Sequence, residues 1–260
     1  MIINQGSEDM SENREEMSLR CHGARLASQA RYHEALASIN QSLEEKGLDP
    51  ELLVQKALTL DRIGFFSASI ACCEQAIALE PRNCNAWFVR GLTLYYLARN
   101  TDAMICLDQA VGIDPDHCEA WFIKGNCAYQ NGDLEDALHS YDMTLSLTPN
   151  YPKAWYNRGV CLADQGNFRA ALDSYDQCIR INPGVSVVHA NRGVALTGLG
   201  YLEQAMEAFD AALELDPRDL TALNNKGILL SRMGRDEEAI EYLGKAREYS
   251  RGGEILRKVW

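Results

Sequence analysis

Between residues 152 and 185, apolar and small side chains follow two helical rhythms separated by one break. Trp155, Gly159 and Leu162 stand at i, i+4 and i+7, on one face of a helix. Gly166 and Asn167 interrupt the run, and glycine there suits the left-handed conformation that closes a helix. Phe168, Ala171, Leu172, Tyr175 and Ile179 then mark one face of a second helix. Pro183 ends it, because proline lacks an N–H and its ring clashes with the preceding turn. The pattern predicts a helix hairpin. Gly159 and Ala171 would be small where the helices approach, with Trp155 and Tyr175 filling the space beside them.

The same hairpin recurs every 34 residues. Pro81, Pro115, Pro149, Pro183 and Pro217 keep that interval, as do Gly91, Gly125, Gly159, Gly193 and Gly227, with Gly23 in phase and Ala57 replacing one glycine. Ala35, Ser69, Ala103, Ala137, Ala171, Ala205 and Ala239 form a third series of small residues. Three series in phase identify an internal repeat, which outranks any reading of single segments.

A 34-residue helix–turn–helix with Trp, Gly, Leu or Tyr, Ala, an aromatic, Ala and Pro in this order resembles the tetratricopeptide repeat. Seven gapless copies cover 16–49, 50–83, 84–117, 118–151, 152–185, 186–219 and 220–253. The first departs most, with Leu19 at the Trp position and no proline in phase. The resemblance implies an all-α fold, an alpha-alpha superhelix or solenoid of antiparallel helix pairs whose first helices line a concave groove. Residues 1–15 read as an acidic N-terminus expected to be disordered, and 254–260, EILRKVW, as a short C-terminal tail or partial cap. No repeat buries its apolar face alone, so the ends need cover. Ile255, Leu256, Val259 and Trp260 are expected to form a stub lid, the alternative being an adhesive end that pairs with another chain.

Composition narrows the function. A net charge of −12 argues against nucleic acid, whose phosphates require clustered cations. The N-terminus lacks the apolar core of a signal peptide, and no run of about twenty apolar residues exists to span a membrane. Nine cysteines without a disulfide-scaffold rhythm suit a reducing cytosol, so a cytoplasmic location is expected. The repeats leave no room for a catalytic domain, and no nucleophile or phosphate-cradling signature is present, so no enzymatic activity is expected. Cys127, Cys161 and Cys178 read as small packing residues. Cys84 and Cys118, with His117 beside the latter, form the strongest metal or redox pair, but no CxxC spacing supports it; no metal and no cofactor are expected.

The seventh position, leucine in most tetratricopeptide repeats, is basic or His here: His22, Lys56, Arg90, Lys124, Arg158, Arg192 and Lys226. Acids recur at the twenty-fifth: Glu74, Asp108, Asp142, Asp176 and Asp210. These are expected to form ion pairs between the two helices of each repeat, in preference to a positive ladder for an acidic ligand.

At about 100° per residue, the sixth position lies about 200° from the Trp and faces away from the second helix. It holds Cys21, Gln55, Val89, Ile123, Asn157, Asn191 and Asn225, and Asn126 at a ninth position extends the amide set. A carboxamide offers donor and acceptor, so Asn126, Asn157, Asn191 and Asn225 are candidates to grip the backbone of an extended peptide. This is similar to the asparagine ladder of the superhelices attached to O-linked N-acetylglucosamine transferases. Phe88, Phe122 and Tyr156 at the fifth position, with Tyr95 and Tyr129 at the twelfth, are candidates for an apolar stretch of the same groove. The carboxylate clamp of cochaperones is not expected, because Phe122, Val187 and Asn191 stand where its cations belong. The sequence thus points to a non-enzymatic scaffold that binds a protein or peptide, with no nucleic acid or membrane partner. The alternatives are a structural subunit forming a homo-oligomer through its terminal repeats or convex face and, less favoured, a metal- or redox-responsive protein.

Overall fold

A computed structural model describes residues 31–45 and 47–257, with side chains as far as residue 250. The acidic N-terminus, the first helix expected of the first repeat with Leu19, Cys21, His22 and Gly23, and the last three residues lie outside the described residues, as do the side chains of Ile255 and Leu256. All regular structure among the described residues is helical: α1 (31–45), α2 (Pro50–Arg62), α3 (Phe66–Leu79), α4 (Cys84–Tyr96), α5 (Asn100–Ile113), α6 (Cys118–Gln130), α7 (Leu134–Leu147), α8 (Pro152–Asp164), α9 (Phe168–Ile181), α10 (Ser186–Gly198), α11 (Leu202–Leu215), α12 (Leu220–Arg232) and α13 (Asp236–Arg257). The fold is an all-α solenoid of antiparallel pairs. The chain divides into two compact units, the first ending at Pro115 and the second beginning at Asp116.

Local chemistry places the helix ends. Asp49, Asn83, Asp133, Asn167 and Asp219 precede helices and accept a hydrogen bond from a backbone N–H of the first turn, filling donors that the helix cannot satisfy itself. Pro50 and Pro152 open α2 and α8, where a missing N–H costs nothing. From the second repeat onward, the turn inside each hairpin uses a left-handed residue. It is glycine at Gly64, Gly132, Gly166, Gly200 and Gly234, but Ala98 in the third repeat, at φ 56°.

Within each unit the two helices of a repeat pack together, and each second helix also packs on the following first helix. In the third to seventh hairpins a glycine at the eighth position meets the second helix closely. A Cβ built on Gly159 would lie 2.5 Å from the Tyr175 ring, one on Gly125 2.6 Å from Tyr141, and one on Gly193 2.5 Å from Phe209. The aromatic therefore sits on the glycine and does not fill space to its side, as the sequence pattern suggested. Leu107 and Leu243 take the same place over Gly91 and Gly227. In the second repeat both partners change: Ala57 replaces the glycine, and Cys73, both buried in one cluster, replaces the ring.

A second recurrent contact ties successive periods. Trp87 Nε1 donates to the Pro81 carbonyl at 3.0 Å and Trp155 Nε1 to Pro149 at 2.8 Å. His189, at the Trp position of the sixth repeat, places Nε2 2.9 Å from the Pro183 carbonyl. The in-phase tryptophans and prolines are thus partners, the half-buried ring bracing the loop that starts its own helix.

The last helix breaks the pattern. α13 has 22 residues, whereas α11 has 14, and Glu254 to Arg257 continue α13 without starting a separate element.

Two substitutions test this packing. Gly159→Ala is expected to destabilise the second unit by about 1–3 kcal/mol in chemical denaturation, and adding Tyr175→Cys, which reproduces the Ala57–Cys73 pairing, should cost less than the sum of the two single changes. Ala98→Gly should stabilise the first unit by about 0.5–1 kcal/mol, since relief of left-handed strain outweighs the added freedom of the unfolded chain.

Candidate functional site

The charged series at positions seven and twenty-five does form ion pairs, but not the expected ones. Arg158 Nε meets Asp142 of the preceding repeat at 2.6 Å, Arg192 Nε meets Asp176 at 2.6 Å, and Arg90 meets Glu74 at 3.0 Å. Lys226 pairs with Asp210 in the same way. Each cation reaches back one repeat, so the row joins neighbouring hairpins instead of the helices within one. The reason is geometric: the seventh position lies on the flank of the first helix that packs against the preceding second helix. Arg158 also donates to Ser174 Oγ at 2.8 Å in its own repeat, and its guanidinium carbon lies 5.9 Å from the Trp155 ring centroid. These side chains are half-covered and engaged, which leaves no free positive ladder.

In the second unit α6, α8, α10 and α12 touch in sequence, whereas α7, α9, α11 and α13 do not touch one another. The first helices therefore form the tighter, inner wall. On it, Asn157 Nδ2 donates to Asn126 Oδ1 at 2.8 Å, and Tyr141 OH donates to the same oxygen at 3.0 Å. Asn191 Nδ2 donates to Tyr156 OH at 3.0 Å. Asn225 Nδ2 instead turns to the Thr221 carbonyl of its own helix at 2.8 Å. The four asparagines are thus brought onto one wall, and three of them take part in two separate links between adjacent repeats, Asn157 to Asn126 and Asn191 to Tyr156. Asn126 accepts two bonds and is not an open rung.

Tyr129 OH donates to Asp164 Oδ2 of the next repeat at 2.7 Å. That bond, and then burial, push the Tyr129 phenol up to about 12. Burial likewise raises the Tyr156 phenol. Asp164 is a wall residue outside the asparagine and aromatic candidates, although helical geometry puts its thirteenth position on the same stripe as the sixth and ninth. Phe122 is buried, stacked on Tyr141 and Tyr151 at ring distances of 6.2 and 5.0 Å. It is a core residue and does not line a surface.

In the first unit Val89, at the sixth position, is 1% exposed and belongs to the core, so that position is not uniformly a surface site. Phe88 packs partly buried against the same cluster, and Tyr95 lies beside the exposed Tyr96 ring, 6.0 Å between centroids. Thr93 donates to Asp61 Oδ2 at 2.7 Å, linking the third repeat to the second. Burial raises the Asp61 carboxyl even against that bond.

The cysteines are engaged in packing. Cys84 Sγ lies 3.4 Å from the Ala110 carbonyl, Cys161 Sγ 3.3 Å from Leu134 and Cys178 Sγ 3.2 Å from Pro152. Burial pushes the Cys73 and Cys127 thiols up to about 12 and Cys161 to about 11, so these are held as unreactive thiols at neutral pH. Among the described residues no three His, Cys, Asp or Glu side chains cluster to hold a metal, and no helix is long and apolar enough to cross a membrane.

Five family models described as tetratricopeptide or TPR repeats match the sequence, over 54–117, 125–166, 152–185, 186–219 and 208–241. The chain belongs to the tetratricopeptide repeat family. No curated protein sequence matches it. Among solved structures, YrrB, a TPR protein, superposes with a TM-score of 0.66 at 21% identity, covering 72% of this chain and 97% of its own. MamA from Desulfovibrio magneticus RS-1 gives 0.62 at 22% identity over 65% of this chain and 96% of its own. A chain of the APC/C hetero-tetramer Cut9-Hcn1 gives 0.63 at 14% identity over 88% of this chain and 45% of that one. At these identities the likeness concerns the fold.

Of the inter-repeat pairs, that of Lys226 is the most enclosed: its side chain is 7% exposed and also donates to Tyr242 OH at 2.9 Å. Burial opposes the ammonium, but the Asp210 carboxylate and the Tyr242 hydroxyl outweigh it and raise its pKa above 10.5. A raised lysine stabilises the fold below its ordinary pKa, and the contribution fades as pH climbs through the folded value. Lys226→Met is therefore expected to lower stability by about 1 kcal/mol near neutral pH, and by less at a pH above the raised lysine value. Paired denaturation curves at the two pH values check both the size and the sign.

Proposed function

We propose that this chain is a non-enzymatic protein-interaction scaffold that binds an extended segment of a partner protein along the inner wall of its second unit. The observation that carries this reading is the row Asn157, Asn191 and Asn225. Each has spent one amide N–H inside the molecule, and each keeps a carbonyl oxygen and a second N–H without a partner among the described residues. A half-exposed carboxamide held in place by one bond offers a preset acceptor and donor, the pair that a peptide backbone needs. Tyr156 and Tyr129 on the same wall would take apolar side chains of the segment. Asn126 acts as the brace that orients Asn157.

Family resemblance supports the same use. YrrB is described as having an unusual peptide-binding site, and Cut9 is held in a hetero-tetramer with another protein. The net charge of −12 favours neutral or basic partners through long-range steering. The thiols kept protonated by burial suit a reducing, cytoplasmic setting and give the redox alternative no support.

The decisive comparison sets wild type against the Asn157→Ala, Asn191→Ala, Asn225→Ala triple variant, using peptides selected on the wild-type protein from a random library. Binding measured by fluorescence polarisation should weaken at least about a hundredfold, for a loss of about 1 kcal/mol or more at each site, while helical circular dichroism stays unchanged. A triple variant that binds as well as wild type would sink the proposal.

A further inference from the structure

The outward face of α13 differs from that of the other second helices in its unit. At the twenty-fourth position Tyr141, Tyr175 and Phe209 are at most 1% exposed, yet Leu243 is 37% exposed; at the twenty-first, Ile240 is 71% exposed. At the twenty-fifth, Asp142, Asp176 and Asp210 each receive the cation of the following repeat, but α13 has Gly244 there. At the thirty-second, Arg251 replaces the proline that ends the second to sixth periods, and the helix runs on. A further repeat of the same kind would find no acid for its seventh-position cation. Among the described residues nothing covers Ile240 and only part of Leu243 is covered, and the face is unsuited to continuing the array.

We propose that a second copy of this chain covers it, the two α13 helices crossing antiparallel about a two-fold axis. Glu237, Ile240, Gly244 and Arg247 are all exposed and spaced 3, 4 and 3 residues apart, which makes them one stripe. A two-fold axis midway between Ile240 and Gly244 sets each Ile240 against Gly244 of the other copy and each Glu237 against Arg247 of the other copy. A Cβ added to Gly244 would meet nothing within 4 Å, so packing inside the chain does not require this glycine in mid-helix. A clear patch opposite a protruding isoleucine lets two helices approach closely.

Charge selects both the occupant and its direction. Residues 236–243 carry Asp236, Glu237, Glu238 and Glu241 and no Lys or Arg, whereas 244–257 carry Lys245, Arg247, Arg251 and Arg257 against Glu248 and Glu254. Antiparallel helices bring the acidic half of one onto the basic half of the other; a parallel pair would oppose like charges. The stripe is self-complementary under a two-fold operation, as an isologous contact must be.

Sedimentation velocity on the full chain over a concentration series tests this. Wild type should show a reversible monomer–dimer equilibrium. Ile240→Glu, at a site exposed enough to leave folding intact, should raise the dissociation constant at least about tenfold. Glu237→Arg and Arg247→Glu should each weaken the dimer several-fold, and the two together should restore it to within about threefold of wild type. The triple asparagine variant should dimerise as wild type does, which separates this proposal from peptide capture. A wild type that stays monomeric throughout, a dimer indifferent to Ile240→Glu, or a charge-swapped pair no tighter than its single variants would each overturn it.

Discussion

In the third to seventh hairpins a glycine without a Cβ lies under a ring or branched side chain from the opposite helix, and this contact sets the interhelical distance from which the rest follows. At Gly159 the Tyr175 edge already occupies the place of a methyl group. The ring is buried on both sides, so a large apolar surface leaves water at the point where the backbones are closest. Because steric overlap rises steeply, glycine and ring are a matched pair and not two independent preferences. The second repeat shows the other solution, Ala57 with Cys73, in which a larger floor meets a smaller lid.

With that spacing set, neighbouring hairpins are joined by polar contacts of repeated geometry. The indole of Trp155 holds the carbonyl of Pro149, and the guanidinium of Arg158 holds Asp142. Individually such half-exposed contacts contribute little. Their value is in register: each demands one rotation of a hairpin relative to its predecessor, and apolar packing alone is less directional. On the inner wall the same logic ties Asn157 to Asn126, Asn191 to Tyr156 and Tyr129 to Asp164. The residues proposed to hold a ligand are therefore also part of the structure, which would keep them oriented before a ligand arrived and lower the entropy lost on binding.

The last helix shows what the repeats need by lacking it. Gly244 stands where the other periods place an acid, and Ile240 protrudes where the others are covered. Stacking makes every second helix a receiving surface, so a terminal helix must differ in sequence if it is to receive something else. The cysteines illustrate the opposite outcome, since buried thiols such as Cys73 and Cys127 are inert packing groups.

The sequence by itself determined the family, the all-α fold and the paired helices of each period. These depend on contacts within one period or with its immediate neighbour, and such requirements recur at every copy, so they surface as a 34-residue rhythm in glycine, proline and tryptophan. The candidate wall was legible in part: Asn157, Asn191 and Asn225 stand on it as helical geometry indicated, but Phe122 proved to be core and Asp164 was not among the candidates. Tertiary structure alone decided which partner each group takes. Arg158 lies 16 residues after Asp142 and 18 before Asp176, nearly equal choices along the chain. Only the stacking of α8 against α7 brings Asp142 within 2.6 Å. The same limit applies at the sixth position, where Val89 is enclosed and Asn157 is half-open although both hold one place in the period. Periodicity records what every repeat shares; burial and pairing depend on what each repeat is packed against.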